Sequence, residues 1–145
     1  MGDFSYNLKG FSELNARLAD LAGKQATSAG QSAIRAGGVV LRDAVKAKAP
    51  VGPTPEGAKE KHGDRTITHH KIAEQITVTK VKSPNEHQVS VAVHNGKAFH
   101  ASWVEFGSIH NQPNPFFLNA LNDVGQEVID KVGATLGKQL TKRGV

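Results

Sequence analysis

Residues 26–49 read ATSAGQSAIRAGGVVLRDAVKAKA, and at about 100° per residue Ala29, Ala33, Ala36, Val40, Ala44 and Ala47 fall on one helical face. A face made almost wholly of alanine lets a neighbouring element come close to the helix axis. Ile34, Leu41 and Val45 widen the apolar arc, while Arg35, Arg42 and Lys46 gather opposite it and leave only a narrow solvated strip. Such a helix needs packing partners on two sides. The pair Gly37-Gly38 in its middle costs about 1 kcal/mol per glycine relative to alanine, so it marks either a kink or a close approach of backbone. Pro50, Pro53 and Pro55 terminate the pattern.

The rest of the chain supplies the partners. Phe4, Tyr6 and Leu8 alternate with polar residues as a short half-buried strand does. Phe11, Leu14, Leu18 and Leu21 form a helical stripe, with Glu13/Arg17 and Asp20/Lys24 as i,i+4 pairs on its wet side, and Gly23 predicts the end of this first helix. Residues 52–70 are polar and glycine-containing with no periodicity, which predicts a long mobile loop. Ile76 and Val78, then Val89, Val91 and Val93, alternate across the turn Ser83-Pro84-Asn85-Glu86 and predict a hairpin, after which Asn95-Gly96 turns the chain again.

In residues 97–106, Phe99, Trp103 and Phe106 fit a helix face and Phe99, Ala101 and Trp103 fit a strand face; a short helix ending at Gly107 is the preferred reading. Asn114 is then a suitable N-cap with Pro115 in the first helical position, and Phe117, Leu121, Val124, Val128 and Val132 carry a final helix. The order β-α-α-loop-β-β-α-α segregates helices from an antiparallel sheet. The expected fold class is therefore α+β, one domain over residues 1–145 with a mobile segment at 52–70, in which the hairpin sheet is packed by the alanine-rich helix of the N-terminal half and by the C-terminal helix. With 145 residues, one such core buries about two thirds of the unfolded surface.

Several function classes have no anchor. The chain contains no cysteine, which excludes thiol nucleophiles, disulfides and cysteine-based metal sites. No run reaches the roughly 20 apolar residues of a membrane helix, and Met1-Gly2-Asp3-Phe4-Ser5 lacks the charged and apolar regions of a signal peptide, so neither membrane insertion nor signal-directed secretion is expected. The phosphate-loop, dinucleotide, GxSxG and HExxH patterns are missing from the sequence. His62, His69, His70 and Asp64 share the 52–70 segment, but adjacent histidines do not share a face, and a solvated loop explains them; no metal, cofactor or catalytic residue is assigned.

Glu105 stands between Val104 and Phe106, where a carboxylate is either an acid–base group or a structural hydrogen-bonding or interface group. No partner nucleophile accompanies it, which favours the latter. On that reading Glu105→Gln keeps the size and most hydrogen bonds but removes the charge, and is expected to leave the subunit folded and to act, if anywhere, on association. Trp103 with Phe99, Phe116 and Phe117 could stack bases, although aromatics at helical spacing are more often core. The net charge of +5 and the strip Arg35, Arg42, Lys46 permit contact with phosphate or a partner, and leave a small basic nucleic-acid-binding protein as the alternative reading.

Residues 97–121, KAFHASWVEFGSIHNQPNPFFLNAL, resemble the tail-component family of lambdoid long-tailed bacteriophages, also described as neck or tail-completion proteins. That family runs from an aromatic-containing helix through VEFGT and a short loop to PxPFLRPAL at the start of the final helix. Val104, Glu105, Phe106 and Gly107 match, with Ser108 for threonine; Pro113, Pro115, Phe116, Ala120 and Leu121 match the second part. A short strand, a leucine helix and an alanine-rich helix ending Ala47-Lys48-Ala49-Pro50 extend the likeness over nearly the whole chain. Leu118 and Asn119 replace the usual arginine and proline, and the segment after Pro50 is longer than is common.

The resemblance implies a non-enzymatic virion or prophage protein, made in the host cytoplasm and built into a ring at the head–tail junction or top of the tail. Its implied partners are other copies of itself and neighbouring neck, connector, tail-tube or terminator proteins. DNA passing through the lumen would be contacted without sequence specificity. In this setting Trp103, Val104, Glu105, Phe106, Gly107, Pro113, Pro115, Phe116 and Phe117 form a structural lock and assembly surface, with Gly107 expected at positive φ and Phe117 on the buried stripe.

Overall fold

The computed structural model describes the backbone of residues 5–7, 12–82, 87–94 and 96–143, and side chains from residue 27 onward within those ranges. In chain order the elements are β1 (Ser5–Asn7), α1 (Ser12–Lys48), β2 (Lys59–His62), β3 (Arg65–Thr68), a 3-10 turn (Ile72–Gln75), β4 (Ile76–Val81), β5 (Gln88–Val93), α2 (Ala101–Phe106) and α3 (Phe116–Lys142). Phe4, Leu8, Phe11, the turn 83–86 and Asn95 lie outside the described residues, as do the side chains of the leucine stripe and its ion pairs.

The α+β class holds: β1, β5 and β4 form an antiparallel sheet in that order, and the helices, separate from the strands along the chain, pack against it. The register pairs Ile76 with Val93, Val78 with Val91 and Lys80 with Val89, so the alternating apolar residues of both arms share a face. Val89, Val91 and Val93 are buried on that face together with Ile76.

Two expected helices are one. α1 runs unbroken through Gly23 over its 37 residues, because a single glycine costs only about 1 kcal/mol in a helix interior and does not by itself end one. The buried face of α1 carries Ala29, Ala33, Ile34, Leu41, Val45 and Ala49, whereas Ala47 is exposed and Ala36, Val40 and Ala44 are half-buried. The core arc is thus rotated from the alanine face toward the larger side chains, which have more apolar area to remove from water.

Gly37 and Gly38 explain how one helix serves two neighbours. A Cβ on Gly37 would lie 2.6 Å from Val132 Cγ2 of α3, and one on Gly38 would lie 2.9 Å from Val89 Cγ2 of β5 and 3.1 Å from Val78 Cγ1 of β4. The pair is a close approach on both sides. The demand of the alanine-rich helix for two partners is therefore met inside the chain, by α3 and by the sheet.

Residues 52–70, expected as a loop without regular structure, contain the antiparallel hairpin β2–β3, with Lys59 opposite Thr68 and His62 opposite Arg65. All eight strand residues are exposed. Period-two patterning records one dry face and one wet face, so a hairpin with both faces in water leaves no such trace.

Candidate functional site: the junction between the second and third helices

The segment from Phe99 to Leu118 is held by contacts that each use a different residue of the VEFGS and PNPFF motifs. α2 turns Ala101 and Glu105 inward, and Glu105 is only 2% exposed. Its carboxylate accepts hydrogen bonds from the backbone N–H groups of Phe117 at 2.9 Å and Leu118 at 3.1 Å, the first to Oε2 and the second to Oε1. These are two of the donors that the first turn of a helix cannot satisfy internally. Glu105 is thus an N-cap supplied from a different helix, with its negative charge at the positive end of the α3 dipole.

α3 starts at Phe116, one residue later than the sequence pattern implied, with Pro115 rather than Asn114 in the capping position. Proline has no side-chain acceptor to offer, and the Glu105 carboxylate takes that role. The backbone N–H of Asn114 instead donates to the Val104 carbonyl at 2.7 Å, pinning the two ends of the intervening loop. Glu105→Gln would leave a carboxamide with one acceptor oxygen and an NH2 group turned toward one of two backbone donors, so the variant, though still expected to fold, should be less stable.

Gly107 ends α2 at φ +80°, as expected, and a Cβ there would meet Pro113 Cγ at 2.9 Å, so strain and space both require glycine. Beyond it, the Ser108 N–H donates to the Asn111 carbonyl at 3.0 Å, and the Ser108 hydroxyl accepts from the N–H groups of His110 and Asn111 at 3.2 Å each. Serine preserves the hydroxyl that threonine would provide. Phe116 and Phe117 are buried, 1% and 0% exposed, with ring centroids 6.4 Å apart, and join α3 to the core around Leu41, Val45 and Val91.

The aromatic residues of the turn before α2 and of α2 itself reverse their expected placement. Phe99, Trp103 and Phe106 do not line the core; they are 52%, 40% and 59% exposed, and Phe99 packs edge-on against Trp103 at 5.5 Å between ring centroids. The inward face goes to Ala98 and Ala101, small enough for close packing, and to Glu105, which must reach α3. Ile109, at the tip of the Ser108 turn, is 94% exposed. Val104 is half-buried. The result is a hydrogen-bonded mount with large apolar side chains exposed on its outside.

The other candidates are not brought together with this site. Arg35 is exposed on α1, and Arg42 is held by the adjacent Asp43 at 2.8 Å, with Lys46 one turn further on. Glu56 accepts from the His70 ring at 2.6 Å and from the Lys71 backbone, and those bonds, the backbone one first, hold its carboxyl below the usual range. Glu60 is likewise lowered, by the His69 ring at 3.0 Å and then by His62 at 3.3 Å. Burial lowers His100, and the nearby His69 adds to it. Among the described residues no group of three or more His, Asp or Glu side chains is arranged to hold a metal ion, and no helix is long and apolar enough to cross a membrane.

Residues 12–107 match a family model described as "Bacteriophage HK97-gp10, putative tail-component" (HK97-gp10-like). The match takes in α1, both hairpins and α2 through Gly107, and stops before Pro113. No curated protein and no solved structure matches the chain.

Proposed function

Because the chain belongs to the HK97-gp10-like family of bacteriophage tail components, we propose that it is a non-enzymatic ring protein at the head–tail junction or the top of the tail, in the neck or tail-completion position. A tail component is a virion protein whose work is to contact other virion proteins. The observation that carries the finer reading is the junction itself. Val104, Glu105, Gly107 and Ser108 are engaged in fixing the path from α2 to α3, and the side chains left outside are Phe99, Trp103, Phe106 and Ile109. A rigid surface with exposed aromatics loses little conformational entropy on association, which is what an assembly surface requires.

Partners on this reading are further copies of the chain and the adjoining neck, connector, tube or terminator proteins, with DNA passing through the lumen. The test is the mass in solution together with electron microscopy of the purified protein. Closed rings are the expected result; a chain that stays monomeric at high concentration, alone and with tail-tube protein, overturns the reading.

A further inference from the structure

We infer that the β2–β3 hairpin is a DNA-contacting arm, and that its face bearing Lys59, Lys61, Thr66 and Thr68 lies against the phosphate backbone of duplex DNA. The hairpin is separate from the α2–α3 junction, so the inference goes beyond the assembly reading and does not rest on a closed ring.

The register divides the side chains of the hairpin between two faces. Lys59 stands opposite Thr68 and Lys61 opposite Thr66, and because residues two apart along a strand share a face, these four project together. Glu60, His62, Arg65 and Ile67 project from the other face. There the Glu60 carboxylate is already engaged, with the His69 ring at 3.0 Å and the His62 ring at 3.3 Å. Glu56, at the root of the hairpin, is held by the His70 ring and the Lys71 backbone N–H, and Asp64 lies in the turn at the tip, beyond the paired residues. The lysine face therefore carries two positive charges and two hydroxyls and no carboxylate. All four residues are exposed, and among the described residues neither lysine has an ion pair. Lysines that merely guard an exposed strand edge need neither a shared face nor a hydroxyl partner.

Each Lys–Thr pair places an ammonium and a hydroxyl on Cβ atoms about 4.5–5.5 Å apart, a donor set suited to the oxygens of one phosphate. The two pairs are about 6.8 Å apart along the strands, comparable with the separation of neighbouring phosphates on one nucleic-acid strand. A two-stranded ribbon is also narrow enough to enter the major groove of a duplex, and this one exposes all eight of its strand residues. Single strands are held by aromatic stacking, and residues 59–68 contain no Phe, Tyr or Trp. The lysine face also lacks Arg, Asn and Gln, whose forked side chains read base edges, so the contact is independent of sequence. A hairpin with no buried side chain is marginally stable alone, and contact with the duplex should order it.

The test is fluorescence anisotropy of a short labelled duplex of mixed sequence, titrated with the full chain at several salt concentrations, with the thermal midpoint followed on each variant. Binding is expected with a dissociation constant of about 10⁻⁴–10⁻⁶ M. Lys59→Gln combined with Lys61→Gln should weaken it at least about tenfold at about 0.1 M salt and make the log–log salt slope shallower by about 2, one for each phosphate contact. Thr66→Val combined with Thr68→Val keeps the charge and the strand propensity, and should weaken binding without changing the slope. Lys131→Gln combined with Lys138→Gln removes the same charge from the exposed surface of α3 and should leave the slope unchanged. Hydrogen exchange of the β2–β3 amides should slow when duplex is added. A hairpin lysine variant that binds as well as the α3 control, β2–β3 exchange unchanged at saturating duplex, or a wild-type chain that does not bind the duplex overturns the inference. Equal or tighter binding of a single strand of the same length, or of polyglutamate, assigns the face to another partner and overturns it as well. The mass of the assembly tests the ring reading separately from all of these.

Discussion

Replacing Glu105 probes the contact on which the α2–α3 junction depends. Its carboxylate receives two backbone N–H groups at 2.9 and 3.1 Å, and the residue is only 2% exposed. Hydrogen bonds to a charged acceptor contribute about 1.5–3 kcal/mol each, and a negative charge at a partly buried helix N-terminus adds about 0.3–2 kcal/mol. Glu105→Gln retains the volume and one of the two bonds, so it should cost about 2–4 kcal/mol. Glu105→Ala leaves both donors without a partner and opens a void, which raises the cost to about 4–6 kcal/mol. For a chain of this size about 3 °C of melting temperature accompanies each kcal/mol, so the glutamine variant should melt about 6–12 °C below the wild type. Urea titration followed by far-ultraviolet circular dichroism should give the same loss with an unchanged m-value. A glutamine variant that melts within about 1 °C of wild type would show that the carboxylate does not cap α3.

The remaining expectations concern other parts of the fold. Phe117→Ala removes a side chain with no solvent exposure and should cost about 3–5 kcal/mol, read by the same titration; an unaltered midpoint would remove Phe117 from the core. Gly37→Ala should destabilise by about 1–3 kcal/mol despite its better helix propensity, because its Cβ would sit 2.6 Å from Val132 Cγ2; a stabilised variant would refute the close approach. The 52–70 segment is proposed to be mobile in the free subunit, and its amides should exchange faster than those of β4 and β5; equal protection would refute this. Its carboxylates also set a pH limit. Glu56 and Glu60 titrate below the ordinary 4.5, so their contribution to the hairpin is complete above that value and is lost as the pH falls through their lowered folded values. Amide spectra should show β2–β3 loosening on that descent before β4–β5, and Glu56→Gln should reduce the effect.

What could be read from the sequence divides along the line between contrast and its absence. β4 and β5 were legible because each places apolar side chains on one face and polar ones on the other, and the register then follows from matching the buried faces. The stripe of α3 was legible for the same reason. The hairpin β2–β3 was not, since KEKH and RTIT have water on both faces. The continuity of α1 through Gly23 was missed because a local penalty of about 1 kcal/mol is small beside the packing that a long helix gains elsewhere. Gly37-Gly38 announced a close approach, but only the fold tells that it is one with two different neighbours.

The junction shows a deeper limit. A capping residue is ordinarily sought beside the helix it caps, and Glu105 lies 12 residues before the N–H group it binds, so no local window contains the motif. Its signal was an acidic residue in an apolar stretch, with the aromatic neighbours read as the core and the carboxylate as the anomaly. The fold inverts this assignment. Ala98, Ala101 and Glu105 face inward because close packing and the unsatisfied donors of α3 demand small side chains and an acceptor there, and the same short segment, α2 and the turn before it, then has to carry Phe99, Trp103 and Phe106 outward. Folding alone would favour polar residues in those outward positions. Large aromatics held there by a cap, a positive-φ glycine and a hydroxyl-bonded turn are, on the reading proposed above, the contact surface for another virion protein, and the most specific sequence motif of the chain then serves assembly.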